Sequence, residues 1–119
     1  YLFGANFIFT IGDRYKVQNS DTTKTWRNIP LWQFDNFSNF NKIMPKDSSI
    51  ICIELTKKSI ELNKFEHPKR AIYVLGAEDS GIPSIITNKY QTIIIPTCKN
   101  FSMNVATAGS IIMYDRFIK

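Results

Sequence analysis

Cysteine and histidine are scarce in this chain. Its 119 residues include two cysteines, Cys52 and Cys98, and one histidine, His67. No CxxC pair exists, which excludes zinc knuckles and a disulfide scaffold and makes a reducing cytoplasm the expected compartment. One histidine in a polar stretch ahead of Pro68 gives a hydrolase triad no support, and His67 is expected as an exposed loop residue. Long hydrophobic runs are missing as well: none approaches the roughly 20 residues that cross a bilayer. The chain does not open on a charged stretch, an apolar run and a small-residue cleavage site. Neither a membrane nor a metal is therefore expected as a partner. Internal repeats and low-complexity tracts are lacking too.

What is present is the composition of a globular domain, 44% apolar, 13% aromatic and 21% charged. A chain of this length buries roughly two-thirds of its unfolded surface and needs no metal or disulfide staple. Intrinsic disorder is excluded for most of it. The net charge of +5 leans toward polyanionic partners, although many basic enzymes carry as much.

Residues 1–5 read as the end of a helix with Gly4 as its left-handed stop. Tyr1 is no start methionine, so a preceding segment is expected. Residues 7–11 read as a buried strand bounded by Gly12. The polar stretch 13–28 has no sustained period, and loops of that length are usually functional or disordered. Pro30 marks 29–34 as an edge strand, and Phe37, Phe40 and Ile43 space a helix over 35–44 that Pro45 ends. Further strands are expected at 49–55, 71–75 and 92–96, a helical turn around 60–64 and a short helix over 83–87. The best helix spans 104–117, with Val105, Ala108, Ile111, Ile112 and Tyr114 on one apolar face. Near-continuous apolar strands alternating with helices predict a single α/β domain over 1–119, its mostly parallel sheet covered by helices on both faces.

Several segments carry chemical possibilities. Gly76 and Gly81 follow a parallel strand, where open α/β sheets bind ligands, and a side chain at Gly76 is expected to fill space that a ligand needs. The segment is neither a dinucleotide fingerprint nor a phosphate loop, since Ile82 stands where the latter needs lysine. A tight turn with no ligand is the alternative. Ser102 and Asn104 precede the strong helix, where either side chain can cap it or orient a ligand or an incoming hydroxyl. Cys52 and Cys98 read as core or loop residues rather than nucleophiles. Glu54 and Glu78 end different strands, and no catalytic pairing follows from that. Arg14, Lys16, Lys24, Trp26 and Arg27 interleave cations with an aromatic, a mixture that suits phosphate contacts plus stacking on unpaired bases. A solvated loop with Trp26 packed on its own domain competes with that reading.

Three stretches in order carry a family likeness. They are Val74-Leu75-Gly76-Ala77-Glu78-Asp79-Ser80-Gly81-Ile82, then Ile93-Ile94-Ile95-Pro96, then Ser102-Met103-Asn104-Val105-Ala106-Thr107-Ala108. Together they resemble the second and third motifs of the SpoU-type (TrmH-like) branch of the SPOUT RNA methyltransferases. Phe3-Gly4-Ala5 matches the segment just after that family's first motif. The likeness implies a parallel α/β domain with a deep C-terminal trefoil knot, an exception to the rule against knots. It further implies S-adenosylmethionine as cofactor, a homodimer packed through the C-terminal helix with Met113 and Tyr114, and methylation of a ribose 2′-hydroxyl of tRNA or rRNA. By position, Leu55, Gly76, Ile95, Ser102 and Met103 would line the cofactor pocket, and Glu78, Ser102 and Asn104 would be the polar active-site residues. Asn104→Ala is then expected to cut activity while the melting point barely moves. The family's first motif, N-x-G-x-x-x-R, is absent from these residues. Either about one strand and one helix precede Tyr1, or the chain is a catalytically impaired RNA-binding dimer. An unrelated nucleotide-binding α/β enzyme would need a dinucleotide fingerprint, and none is present.

Overall fold

The structure is a computed structural model that describes residues 1–13, 24, 27–99 and 102–119. They form two compact units, Tyr1–Lys46 and Asp47–Lys119.

The first unit is built on aromatic packing. Strands β1 (Ile8–Ile11) and β2 (Leu31–Phe34) pair in parallel, with Ile8 opposite Leu31. Helix α1 (Phe37–Ile43) starts at Asn36, whose side chain accepts from the Asn39 N–H at 2.9 Å, and it ends ahead of Pro45 as the sequence predicts. Phe40 is fully buried, with Phe9 stacked on it at 4.2 Å and the Phe34 edge at 5.5 Å. The buried strand expected at 7–11 is only partly buried: Ile8 is 39% and Ile11 37% exposed. A two-stranded ribbon with one helix has too few neighbours to cover both faces of a strand. Gly4, at φ +82°, closes a turn by donating its N–H to the Tyr1 carbonyl at 2.9 Å.

The second unit holds a four-stranded sheet of β3 (Ser49–Ile53), β4 (Ile60–Glu61), β5 (Ala71–Leu75) and β6 (Gln91–Ile94). Its spatial order is β4-β6-β3-β5, and every pairing is parallel. The apolar run Ile50-Ile51-Cys52-Ile53 suits the strand flanked on both edges, and Ile51 and Cys52 there are fully buried. Leu62, Phe65, Ile93 and Ile112 complete the cluster around Ile51. Burial, reinforced by the charge of Glu54, pushes the Cys52 thiol up to about 11, so it stays protonated and inert. A 3₁₀ turn at Leu62–Lys64 follows β4, and α2 spans Ser84–Thr87. The long helix α3 (Val105–Ile118) buries Ala108 and Ile112. Tyr114, expected on that apolar face, is instead 52% exposed. No helix among the described residues is long and apolar enough to cross a membrane.

His67 is not the exposed loop residue expected. Its side chain is 5% exposed, with Nδ1 2.6 Å from the Tyr73 hydroxyl and Nε2 2.9 Å from Asp115 Oδ2. A carboxylate only accepts, so these partners assign the ring proton to Nε2 and make Nδ1 the acceptor of the Tyr73 O–H. Burial raises the Tyr73 hydroxyl above its usual pKa despite Arg116, so it keeps the proton it donates. Arg116 donates to the carbonyls of Pro68 at 2.7 Å and Lys69 at 2.8 Å. Lys119 donates to Asp115 Oδ2 at 2.8 Å and the Leu62 carbonyl at 2.9 Å. The end of α3 is thus latched to the 62–70 connection.

Candidate functional site

Because β3, β5 and β6 run in parallel, their C-terminal ends lie at one edge of the sheet, where open α/β sheets place ligands. The three loops that leave that edge enclose a cleft of about 650 Å³, within the range of small-molecule and cofactor sites.

The loop after β5 is the tightest of the three. Gly81, at φ +66°, turns the chain back so that its N–H donates to the Ala77 carbonyl at 2.8 Å. Gly76 lies beneath that closure: a Cβ there would stand 2.3 Å from the Gly81 carbonyl carbon and 2.6 Å from Ile82 N. The sequence reading assigns the room beside Gly76 to a ligand, but the loop's own backbone occupies that space first. Glu54, just past β3, accepts the Ile82 N–H on Oε2 at 2.8 Å and the Leu55 N–H on Oε1 at 3.1 Å. The loop after β3 is tied down by hydroxyls. Thr56 Oγ1 is 3.0 Å from Oγ1 of the buried Thr92, and Ser59 Oγ donates to the Glu54 carbonyl at 2.7 Å.

The third loop leads into α3. Asn104 is the N-cap, its Oδ1 accepting from Ala106 N–H at 3.0 Å and Thr107 N–H at 3.3 Å. Its Nδ2 donates to Glu78 Oε1 at 2.7 Å, joining the β5 loop to the start of the helix. Capping falls to Asn104 and not to Ser102, so the expectation that Asn104→Ala barely moves the melting point gives way to a loss of stability. Ser102 and Met103, just ahead of the cap, line the cleft.

The residues expected to hold a cofactor, Leu55, Gly76, Ile95, Ser102 and Met103, all lie on this cleft, and Glu78 joins them. Asn104 reaches it through Glu78. Of the expected RNA contacts, Lys24 and Arg27 are exposed in the first unit, where the Arg27 N–H donates to the Lys24 carbonyl at 2.8 Å. Arg14, Lys16 and Trp26 lie outside the described residues. Glu54 and Thr56 also line the cleft, and the sequence reading assigns them no role. An acidic residue at the C-terminal end of a central parallel strand was the signal that could have found Glu54.

The model of a family described as the SpoU rRNA Methylase family matches residues 1–114. The chain belongs to that family. A curated relative in Saccharomyces cerevisiae, named a tRNA (guanosine(18)-2′-O)-methyltransferase, is 29% identical over 100 residues, which are 79% of this chain and 7% of the relative. The chain therefore spans a small fraction of that protein. A crystal structure of a TrmH/SpoU tRNA modifying enzyme from A. aeolicus superposes with a TM-score of 0.84 at 21% identity, covering 98% of this chain and 62% of that one. An AdoMet-bound rRNA methyltransferase from Sinorhizobium meliloti gives 0.80 at 19% identity, over 97% of this chain and 46% of that one. Mixed α/β architecture is common ground, and each of the three segments that resemble SpoU motifs contributes to the lining of the cleft.

Proposed function

We propose that this chain is the catalytic domain, or most of it, of an S-adenosylmethionine-dependent RNA methyltransferase that acts on a ribose 2′-hydroxyl of tRNA or rRNA. The observation that carries the reading is convergence. Three separated segments that match the family's motifs meet at one cleft, at the sheet edge where the fold binds ligands.

The donor set fits the cofactor. Leu55, Leu75, Ile95, Met103 and Val105 give the cleft apolar walls, while Glu78 and several hydroxyls supply acceptors. Such a surface takes a flat apolar base beside a polyhydroxylated, cationic group. When bound, S-adenosylmethionine supplies a methyl group on a sulfonium, which transfers without a covalent enzyme intermediate. The chain's own work is positioning. Apolar walls exclude water, the Glu78–Asn104 pair joins the β5 loop to the start of α3, and the Ser102 hydroxyl on the cleft lining orients an incoming ribose hydroxyl. Holding reactants in line is worth many orders of magnitude in rate.

In the same reading the C-terminal segment forms the family's trefoil knot, and two copies pack as a homodimer through α3, with Met113 and Tyr114 in the contact. Arg14, Lys16, Lys24, Trp26 and Arg27 engage RNA, and the enzyme works in the cytoplasm. The full-length protein should transfer tritiated methyl groups from S-adenosylmethionine into total RNA, and nucleoside mapping should find them on a ribose. RNA binding without transfer would replace this reading with an impaired RNA-binding dimer. Methylation of a base would refute the 2′-hydroxyl assignment.

A further inference from the structure

We infer that Glu54 is a positioning residue of the cofactor cleft. Its carboxylate locks the 76–82 loop, and through that loop it fixes where Glu78 stands. The inference rests on the methyltransferase reading of the cleft and adds to it a residue outside the motif likeness.

Four observations place Glu54 in that role. Its backbone is pinned on both sides, the N–H donating to the Ile93 carbonyl at 3.1 Å and the carbonyl accepting from Ser59 Oγ at 2.7 Å. Ser59 is itself held by Thr56 and Thr92, with Oγ–Oγ1 distances of 2.9 and 3.2 Å. The side chain thus leaves from a fixed base. Its two carboxylate oxygens then accept different backbone N–H groups, Leu55 on Oε1 and Ile82 on Oε2. Finally, Gly81 makes room for it: a Cβ at that position would come within 2.6 Å of Glu54 Oε2.

The loop so gripped is anchored at two points. Ile82 N–H is tied to Glu54 at one, and Glu78 is tied to Asn104 at the other, by the 2.7 Å bond from Nδ2. Gly76, Ala77, Glu78 and Ser80 between and beside these anchors form one wall of the cleft. Releasing the Ile82 anchor frees that wall and shifts Glu78 while leaving the sheet intact. Glu54 is no general base in this arrangement, because both oxygens are already occupied by N–H donors that a protonated carboxyl would meet less well. The chemistry also explains why an amide does not replace it. Glutamine offers one acceptor and turns an NH₂ toward the remaining N–H, so one of the two bonds is lost.

The test uses the full-length protein as wild type, Glu54→Gln and Glu54→Ala, with three readouts. Amide exchange reports the lock directly, calorimetry with S-adenosylhomocysteine reports the cleft, and steady-state kinetics separate the RNA KM from turnover. In Glu54→Ala the Ile82 amide should exchange faster while Ile51 and Val74 in the strands keep wild-type protection. S-adenosylhomocysteine should bind about tenfold more weakly, the scale of one lost charge-assisted hydrogen bond. The RNA KM should stay put, and Glu54→Gln should fall between the two. A folded Glu54→Ala protein with wild-type Ile82 protection and wild-type affinity overturns the inference. So does a loss of protection spread equally over the strands, which would make Glu54 merely structural. If wild type fails to bind S-adenosylhomocysteine while Ile82 still responds to Glu54, the cofactor reading falls and the loop lock stands.

Discussion

Asn104 does two jobs with two atoms, and substitution can separate them. Oδ1 caps α3 by accepting from Ala106 and Thr107 N–H groups at 3.0 and 3.3 Å, while Nδ2 donates to Glu78 at 2.7 Å. Asn104→Ala removes both. The lost cap should cost about 1 kcal/mol, which lowers the melting point by about 4 °C in a domain of this size. Asn104→Asp keeps an acceptor for the same N–H groups, and Asp caps about as well as Asn, so stability should hold within about 0.5 kcal/mol. It nevertheless replaces the donor facing Glu78 with a second carboxylate, and the pair must part. Misplacing a group at the mouth of the cleft costs on the order of 10²-fold in rate. Methyl transfer into RNA and thermal unfolding should therefore be measured side by side for both variants. The Asp variant should lose activity at a wild-type melting point, whereas the Ala variant should lose both. An Asp variant with wild-type turnover would show that the Glu78 contact is incidental, and an Ala variant with an unmoved melting point would show that the cap is not formed.

Three other positions give equally definite outcomes. Gly76→Ala should lower stability by about 1–3 kcal/mol and abolish S-adenosylhomocysteine binding, because its Cβ meets backbone at 2.3 Å that cannot yield cheaply; thermal scans and calorimetry check it. Gly109→Ala, inside α3, should instead stabilise by about 0.5–1 kcal/mol, since its Cβ meets only Leu75 Cδ2 at an ordinary 3.8 Å. For Asp115, burial raises the carboxyl pKa, but hydrogen bonds from Lys119 and His67 and the charge of the Lys119 ammonium outweigh it and hold the pKa below the usual value. A depressed carboxyl contributes stability above its unfolded pKa, so the latch should weaken as pH falls below about 4. Amide exchange in the last turn of α3 should accelerate there, and an Asp115→Asn variant should lose that pH dependence.

Three of the four strands of the sheet were legible because apolar runs of β-branched residues bounded by glycine and proline leave little alternative. The fourth, β4 at Ile60–Glu61, is only two residues long and falls where the sequence reading has a helical turn. The sequence expectation for 71–75 meets β5 end for end, and those for 49–55 and 92–96 meet β3 and β6 with ends adjusted by at most two residues. The cleft was legible for a related reason. Glycines, a cap residue and an acidic residue at loop positions are constrained locally, and the motif spacing reports those constraints. Tyr114 shows the limit of periodicity, since an apolar residue at helical spacing does not reveal whether a neighbour covers it. His67 shows the limit of local composition. A histidine beside a proline in a polar stretch reads as surface, and its burial depends on Tyr73 and Asp115, the latter 48 residues away.

Glu54 marks a third limit, because its importance lies in what its carboxylate accepts and not in its own segment. The donor it grips, Ile82 N–H, belongs to backbone, and backbone leaves no residue-type signature from which a partner could be read. The strand-end position of Glu54 marks the residue but not its partner, and Gly81 carries the one trace of that contact among the described residues. Its positive φ already demands glycine, and so that glycine would be expected with or without Glu54 beside it. The two explanations separate only in a double-mutant cycle. In wild type, Gly81→Ala meets both the left-handed φ and the Glu54 carboxylate at 2.6 Å. In a Glu54→Ala background only the φ penalty of about 1–2 kcal/mol remains. Denaturant unfolding of the four proteins should therefore show Gly81→Ala to be more costly when Glu54 is present, with a coupling of at least about 0.5 kcal/mol. Equal costs in both backgrounds would mean that the carboxylate swings aside freely, and the loop would then owe its shape to its glycines alone.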